Sequence, residues 1–181
     1  MKLINAITLS GFTLTAVAVY LLSYFPYIPV WPIFLTWACF FHLNGGNDKN
    51  QAFYSTIIHI ELGAFASWLS ALLVINNPLS GELANQLWAP ILIAAVIAGL
   101  MRLSVFTQLS VTPAMIYGYA SIWAFLSVPG SFNQEALLSL TFKNAVLAIG
   151  FCVVLGACAG YINSTMVALL CNLRTSKAKL K

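Results

Sequence analysis

Long runs of apolar residues, broken by short clusters of polar, glycine and proline residues, set the pattern of this chain. The hydrocarbon core of a bilayer is roughly 30 Å thick and a helix rises about 1.5 Å per residue, so one crossing takes about 20 apolar residues. The runs have that length. A transmembrane β-barrel would instead alternate apolar and polar positions over segments of about ten residues. The pattern predicts helices at about residues 3–24, 30–43, 52–75, 87–106, 111–128 and 142–171, the second short and the last long.

The breaks carry turn chemistry. Pro26, Pro29 and Pro32 surround Trp31 before the second helix, where a proline in the first helical turn loses no hydrogen bond. Asn44-Gly45-Gly46-Asn47-Asp48 forms the next loop, Asn76-Asn77-Pro78 opens the third, Gln108-Leu109-Ser110 marks the fourth, and Pro129-Gly130 opens the fifth.

Composition fixes the class. The 181 residues are 61% hydrophobic and 7% charged, against roughly 25% charged in a soluble domain. Residues 1–172 read as a single all-α transmembrane domain, and 173–181 as a basic cytoplasmic tail. The first apolar stretch is too long for a signal-peptide core, and Tyr24-Phe25-Pro26 replaces a small-residue cleavage site, so it is read as a retained helix.

Charge sets orientation, because Lys and Arg accumulate on the cytoplasmic side. With both termini inside, Lys2, Lys49, Arg102 and the tail residues Arg174, Lys177, Lys179 and Lys181 are cytoplasmic, and Lys143 is the outer exception. A bacterial inner membrane is the expected location. The net charge of +4 belongs to that topology and implies no nucleic-acid partner.

The chain repeats. Val30-Trp31-Pro32 opens the second helix and Val111-Thr112-Pro113 the fifth; Gly63-Ala64-Phe65-Ala66-Ser67-Trp68 is matched by Gly156-Ala157-Cys158-Ala159-Gly160-Tyr161. A three-helix repeat, about 3–76 and about 87–172, is odd-numbered, so its second copy inserts upside down. Inverted repeats of this kind build many transporters, with the route near the midplane.

Glu61 lies well inside the third helix, where a carboxylate needs water or a partner. Arg102, on the adjacent antiparallel helix, is the expected ion-pair partner, with His59 nearby on another face. The trio reads either as a proton or solute site or as a bridge that fixes packing. Thr36, Trp37, His42, Asn44, Gly45 and Gly46 form a candidate inner vestibule, and His42, Asn44 and the glycines also suit a helix C-terminus. Tyr117, Tyr119 and Ser121, with Trp123, occupy the corresponding part of the fifth helix, as solute contacts or as packing. Gly63, Gly156 and Gly160 are read as close-packing positions.

Cys39, Cys152, Cys158 and Cys171 lack metal-ligand spacing, and no nucleotide, nucleophile-elbow or zinc-protease motif occurs. No cofactor, metal or enzymatic activity is expected.

The run Trp31 to Phe41, followed by Gly45-Gly46 and the small-residue segment Gly63 to Trp68, resembles the domain-of-unknown-function family 1097. So does Pro113 to Ala120 leading to Gly156-x-x-x-Gly160-Tyr161. The resemblance implies a small six-helix bacterial inner-membrane protein and supplies no substrate or catalytic residue. The functional expectation is a small channel or permease for a small polar solute or ion, in contact with membrane lipid and assembled as a homo-oligomer. The alternative is a non-transporting accessory or scaffold subunit.

Overall fold

In the computed structural model, the backbone of residues 1–179 is described, with side chains as far as Asn172. The helices are α1 (Leu3–Leu22), α2 (Trp31–His42), α3 (Lys49–Ile75), α4 (Glu82–Leu103), α5 (Thr112–Leu126), α6 (Gln134–Leu138) and α7 (Ala145–Lys179). A 3-10 turn covers Thr107–Leu109, and no strand occurs among the described residues. The side chains of the basic tail lie outside the described residues.

Local chemistry explains most boundaries. Pro32 and Pro113 stand in the first turns of α2 and α5. Asn44 adopts φ 69°, a left-handed conformation that asparagine tolerates after a helix end. Asp48 accepts the Gln51 amide at 3.0 Å, so α3 starts at Lys49, earlier than hydropathy alone places it. Likewise α4 starts at Glu82, because a carboxylate suits the positive end of a helix.

The fifth loop is not plain loop. Asn133 accepts the Ala136 amide at 2.9 Å and caps α6, which buries Ala136 and Leu137. Asn144 then accepts the Val146 amide at 3.0 Å at the start of α7, and its Nδ2 donates to the carbonyls of Leu137 at 3.1 Å and Ser139 at 2.8 Å. One buried asparagine thus fastens α6 to α7.

Among the described residues, four helices are long and apolar enough to cross a membrane: Leu3–Leu22, Lys49–Ile75, Glu82–Leu103 and Ala145–Asn172. Only 11% of the α1 window and 6% of the α4 window is buried by protein, so these greasy faces need lipid as solvent. This is a multi-pass membrane protein. Of the six helices expected to cross, α2, expected to be short, has 12 residues and α5 has 15, about 18 and 22 Å of helix at about 1.5 Å per residue, so these two are not among the spans long enough by themselves.

Two compact units form, one from Met1–Thr56 with the chain from Val154 onward, the other from Ile57–Val153. Neither is a half of the sequence, because α3 and α7 each contribute to both. In the first unit, Phe40 of α2 is fully buried, and Ser10 of α1 donates to Asn163 Oδ1 of α7 at 3.0 Å. In the second unit, α4 packs on α5: Leu100, Met115 and Tyr119 make a core flanked by Leu62, Ala66 and Ile97.

Candidate functional site

The short helices are held by glycines. In the second unit, a β-carbon added at Gly63 of α3 would overlap the Met115 carbonyl of α5. One added at Gly118 of α5 would overlap the Ile60 carbonyl of α3 and lie 2.8 Å from the Ala64 nitrogen. Backbone therefore touches backbone across this pair, an approach open only to residues without side chains.

The first unit has the same construction. A β-carbon at Gly156 of α7 would lie 2.5 Å from the Ile33 carbonyl oxygen and 2.6 Å from Thr36 Cβ, both on α2. One at Gly160 would stand 2.6 Å from Phe40 Cγ. Thr36 and Trp37 are buried in α2.

Polar groups collect on α3. Glu61 sits near the middle of this 27-residue helix, about 18 Å from its Lys49 end at about 1.5 Å per residue. Its carboxylate lies against Gly150 of α7, where an added β-carbon would come within 3.1 Å of Oε2 and 3.3 Å of Oε1. A glycine at 150 is what leaves room for the acid.

The expected Glu61–Arg102 pair is not made. Arg102 is exposed at the end of α4, and Glu61 has neither an ion-pair nor a hydrogen-bond partner among the described residues. The reason is helical phase: Leu62 and Ala66 are the α3 residues in the α4–α5 core, whereas Glu61 points toward Gly150. His59 is buried, 3% exposed, on yet another face of α3.

Further along α3, the Ser70 hydroxyl donates to the Ser67 carbonyl at 2.7 Å and lies 3.0 Å from the Tyr119 hydroxyl. Ser67 Oγ is buried without a hydrogen-bond partner. Ser67 was read from the sequence only as a small packing residue and Ser70 was not singled out, although with Thr56 and Gly63 they fall at helical spacing on one small, polar stripe. Tyr117 is exposed, and Ser121 donates to its carbonyl at 2.7 Å, which commits that hydroxyl to the helix backbone.

The vestibule residues divide. His42 and Asn44 are exposed at the end of α2, while Gly45 is buried against the Phe40 ring and its carbonyl accepts from Ser164 at 2.9 Å. Gly46 lines a cavity of about 410 Å³ with Asn47, Asn163 and Ser164 as its polar wall. A second cavity, about 350 Å³, opens between the start of α3 and the middle of α7. No cluster of His, Cys, Asp or Glu suited to a metal occurs among the described residues, and the four cysteines are free thiols.

A family model described as protein of unknown function (DUF1097) matches residues 8–168. The chain belongs to the DUF1097 family. The DUF1097 match covers each glycine contact above and Glu61 itself, and it agrees with the resemblance carried by the tryptophan–proline and small-residue motifs. No curated protein and no solved structure matches the chain.

Proposed function

We propose that this DUF1097 protein is a small channel or permease of the bacterial inner membrane, built as two inverted three-helix repeats. Its passenger is a small neutral polar solute or a weak acid. The observation that carries the reading is a pair of short, proline-opened helices at corresponding places in the two sequence halves. Each rests on a glycine of the long helix from the other half: α5 on Gly63, α2 on Gly156. Short or interrupted helices in corresponding positions are the best sequence pointer to a transporter's binding region.

In this reading α2 and α5 count as the remaining crossings, completed by the turns that flank them, and they carry the route. Glu61, unpaired at mid-helix, is the group able to exchange a proton. Both termini are cytoplasmic. Lys143, ion-paired with Glu135 at 2.8 Å, is the one basic residue then placed outside, against seven Lys and Arg residues inside, and the excess of Lys and Arg sets the orientation.

The test is uptake or swelling of proteoliposomes over a panel of small amides, polyols and weak acids, with Glu61→Gln and a cysteine at the exposed position 117 in parallel. Solute entry above that of empty liposomes, with position 117 open to a membrane-impermeant thiol reagent, is the expected result. Permeability equal to empty liposomes for every solute, with position 117 unreactive, would leave the scaffold reading in its place. The glycine contacts fit a scaffold too, since packing is all such a subunit would ask of them.

A further inference from the structure

We infer that the groove at the start of α3 is a binding site for one anionic phospholipid of the surrounding bilayer. The groove, about 350 Å³, is lined by Asn50, Phe53, Tyr54, Cys158, Tyr161 and Ile162, all within the first unit. Tyr54 and Ile162 are exposed on its outer side, 66% and 48%, so it opens where lipid lies rather than into a sealed interior. Its walls are largely apolar and aromatic, which suits an acyl chain; its Asn50 and Tyr161 adjoin a cation.

That cation is Lys49. Its Nζ lies 4.8 Å from the centre of the Tyr161 ring and donates to Thr165 Oγ1 at 3.1 Å. Thr165 in turn donates to the Tyr161 carbonyl at 2.9 Å, and the Tyr161 hydroxyl donates to Asn50 Oδ1 at 3.1 Å. The Phe53 ring meets the Tyr161 ring edge-on at 6.0 Å. The ammonium is therefore held in place beside an apolar groove by an aromatic face and a hydroxyl, and no carboxylate among the described residues is ion-paired with it.

An ammonium has three N–H donors. Thr165 takes one and the ring face engages another, so one remains for a phosphate oxygen. Aromatic side chains at headgroup level and a basic residue beside them are the ordinary anchors of a membrane interface. Here they border an apolar groove of about 350 Å³, and that combination selects a lipid carrying negative charge over a zwitterionic one. The inference needs only a membrane location and stands whether or not the protein transports anything.

The experiment uses the full chain in nanodiscs of equal phosphatidylcholine and phosphatidylglycerol, with native mass spectrometry to read the ratio of the two lipids retained. Wild type is expected to retain phosphatidylglycerol preferentially, Lys49→Gln to lower the retained ratio about fivefold, as for loss of one cation near an anionic headgroup, and Lys49→Arg to restore it. Location is read on the wild-type chain, independently of how the variants fold, from Cys158 alkylation by N-phenylmaleimide mapped on peptides. Phosphatidylglycerol should slow it relative to pure phosphatidylcholine, with Cys171 on the same helix unaffected. An unchanged lipid ratio in Lys49→Gln, or equal Cys158 rates in the two lipids, overturns the inference. So does protection of Cys158 by inorganic phosphate in phosphatidylcholine discs, which would mark a site for free anions.

Discussion

Replacing Gly63 by alanine is the sharpest test of how α3 and α5 are joined. The added methyl would occupy the position of the Met115 carbonyl, and the obstacle is backbone, which has no rotamer to change. Overpacking costs typically about 1–3 kcal/mol, and a site that yields only by separating two helices belongs at the upper end, about 3 kcal/mol. Gly118→Ala meets the Ile60 carbonyl in the same interface and is expected to cost a similar amount. Once the helices have moved apart for one methyl, the second finds part of its space already open. The double variant should therefore lose about 3–4 kcal/mol rather than the sum.

Gly99 of α4 supplies the control, because an added β-carbon there meets nothing within 4 Å. Gly99→Ala should be neutral or stabilising by up to about 1 kcal/mol, since alanine is the better helix former. Reversible unfolding in mixed detergent micelles, followed by circular dichroism, measures all four proteins on one scale. A Gly63→Ala protein as stable as Gly99→Ala would refute the backbone contact, and full additivity in the double variant would refute the shared interface.

Asn144→Ala should cost about 2–3 kcal/mol in the same assay, because it removes a helix cap and two buried donors at once; a loss under about 0.5 kcal/mol would mean that α6 is not fastened as described. For Ser70→Ala and Tyr119→Phe, a double-mutant cycle should return a coupling of about 0.5–1.5 kcal/mol, and a coupling of zero would exclude the hydroxyl contact. Glu135→Ala should shift stability by less than about 0.5 kcal/mol even at low salt, since its pair with Lys143 is solvent-exposed; a larger salt-dependent loss would show the pair to be structural.

Hydropathy along the chain was enough to place this protein in a membrane and to find each of its long helices, though α4 starts at Glu82 rather than near 87 and α7 runs to Lys179 rather than 171. Solubility in lipid is a property each segment carries by itself, so a window of sequence reports it. Proline and asparagine were equally legible: Pro32 and Pro113 open helices, and Asn44 closes one, because those residues restrict their own backbone. The early starts of α3 and α4 were less so, since Lys49 and Glu82 are polar by scale and yet suit a first helical turn.

Partners were another matter. The sequence marked Gly63 and Gly156 as small, but only the packed structure assigns the first to the Met115 carbonyl and the second to Ile33 and Thr36. It offered Arg102 to Glu61 because the two helices are antiparallel neighbours and the residues share a depth, and the rotation of α3 turned the carboxylate toward Gly150 instead. Hydropathy is summed along one helix, whereas a contact depends on the phase and approach of two, and those are settled only when the backbones meet.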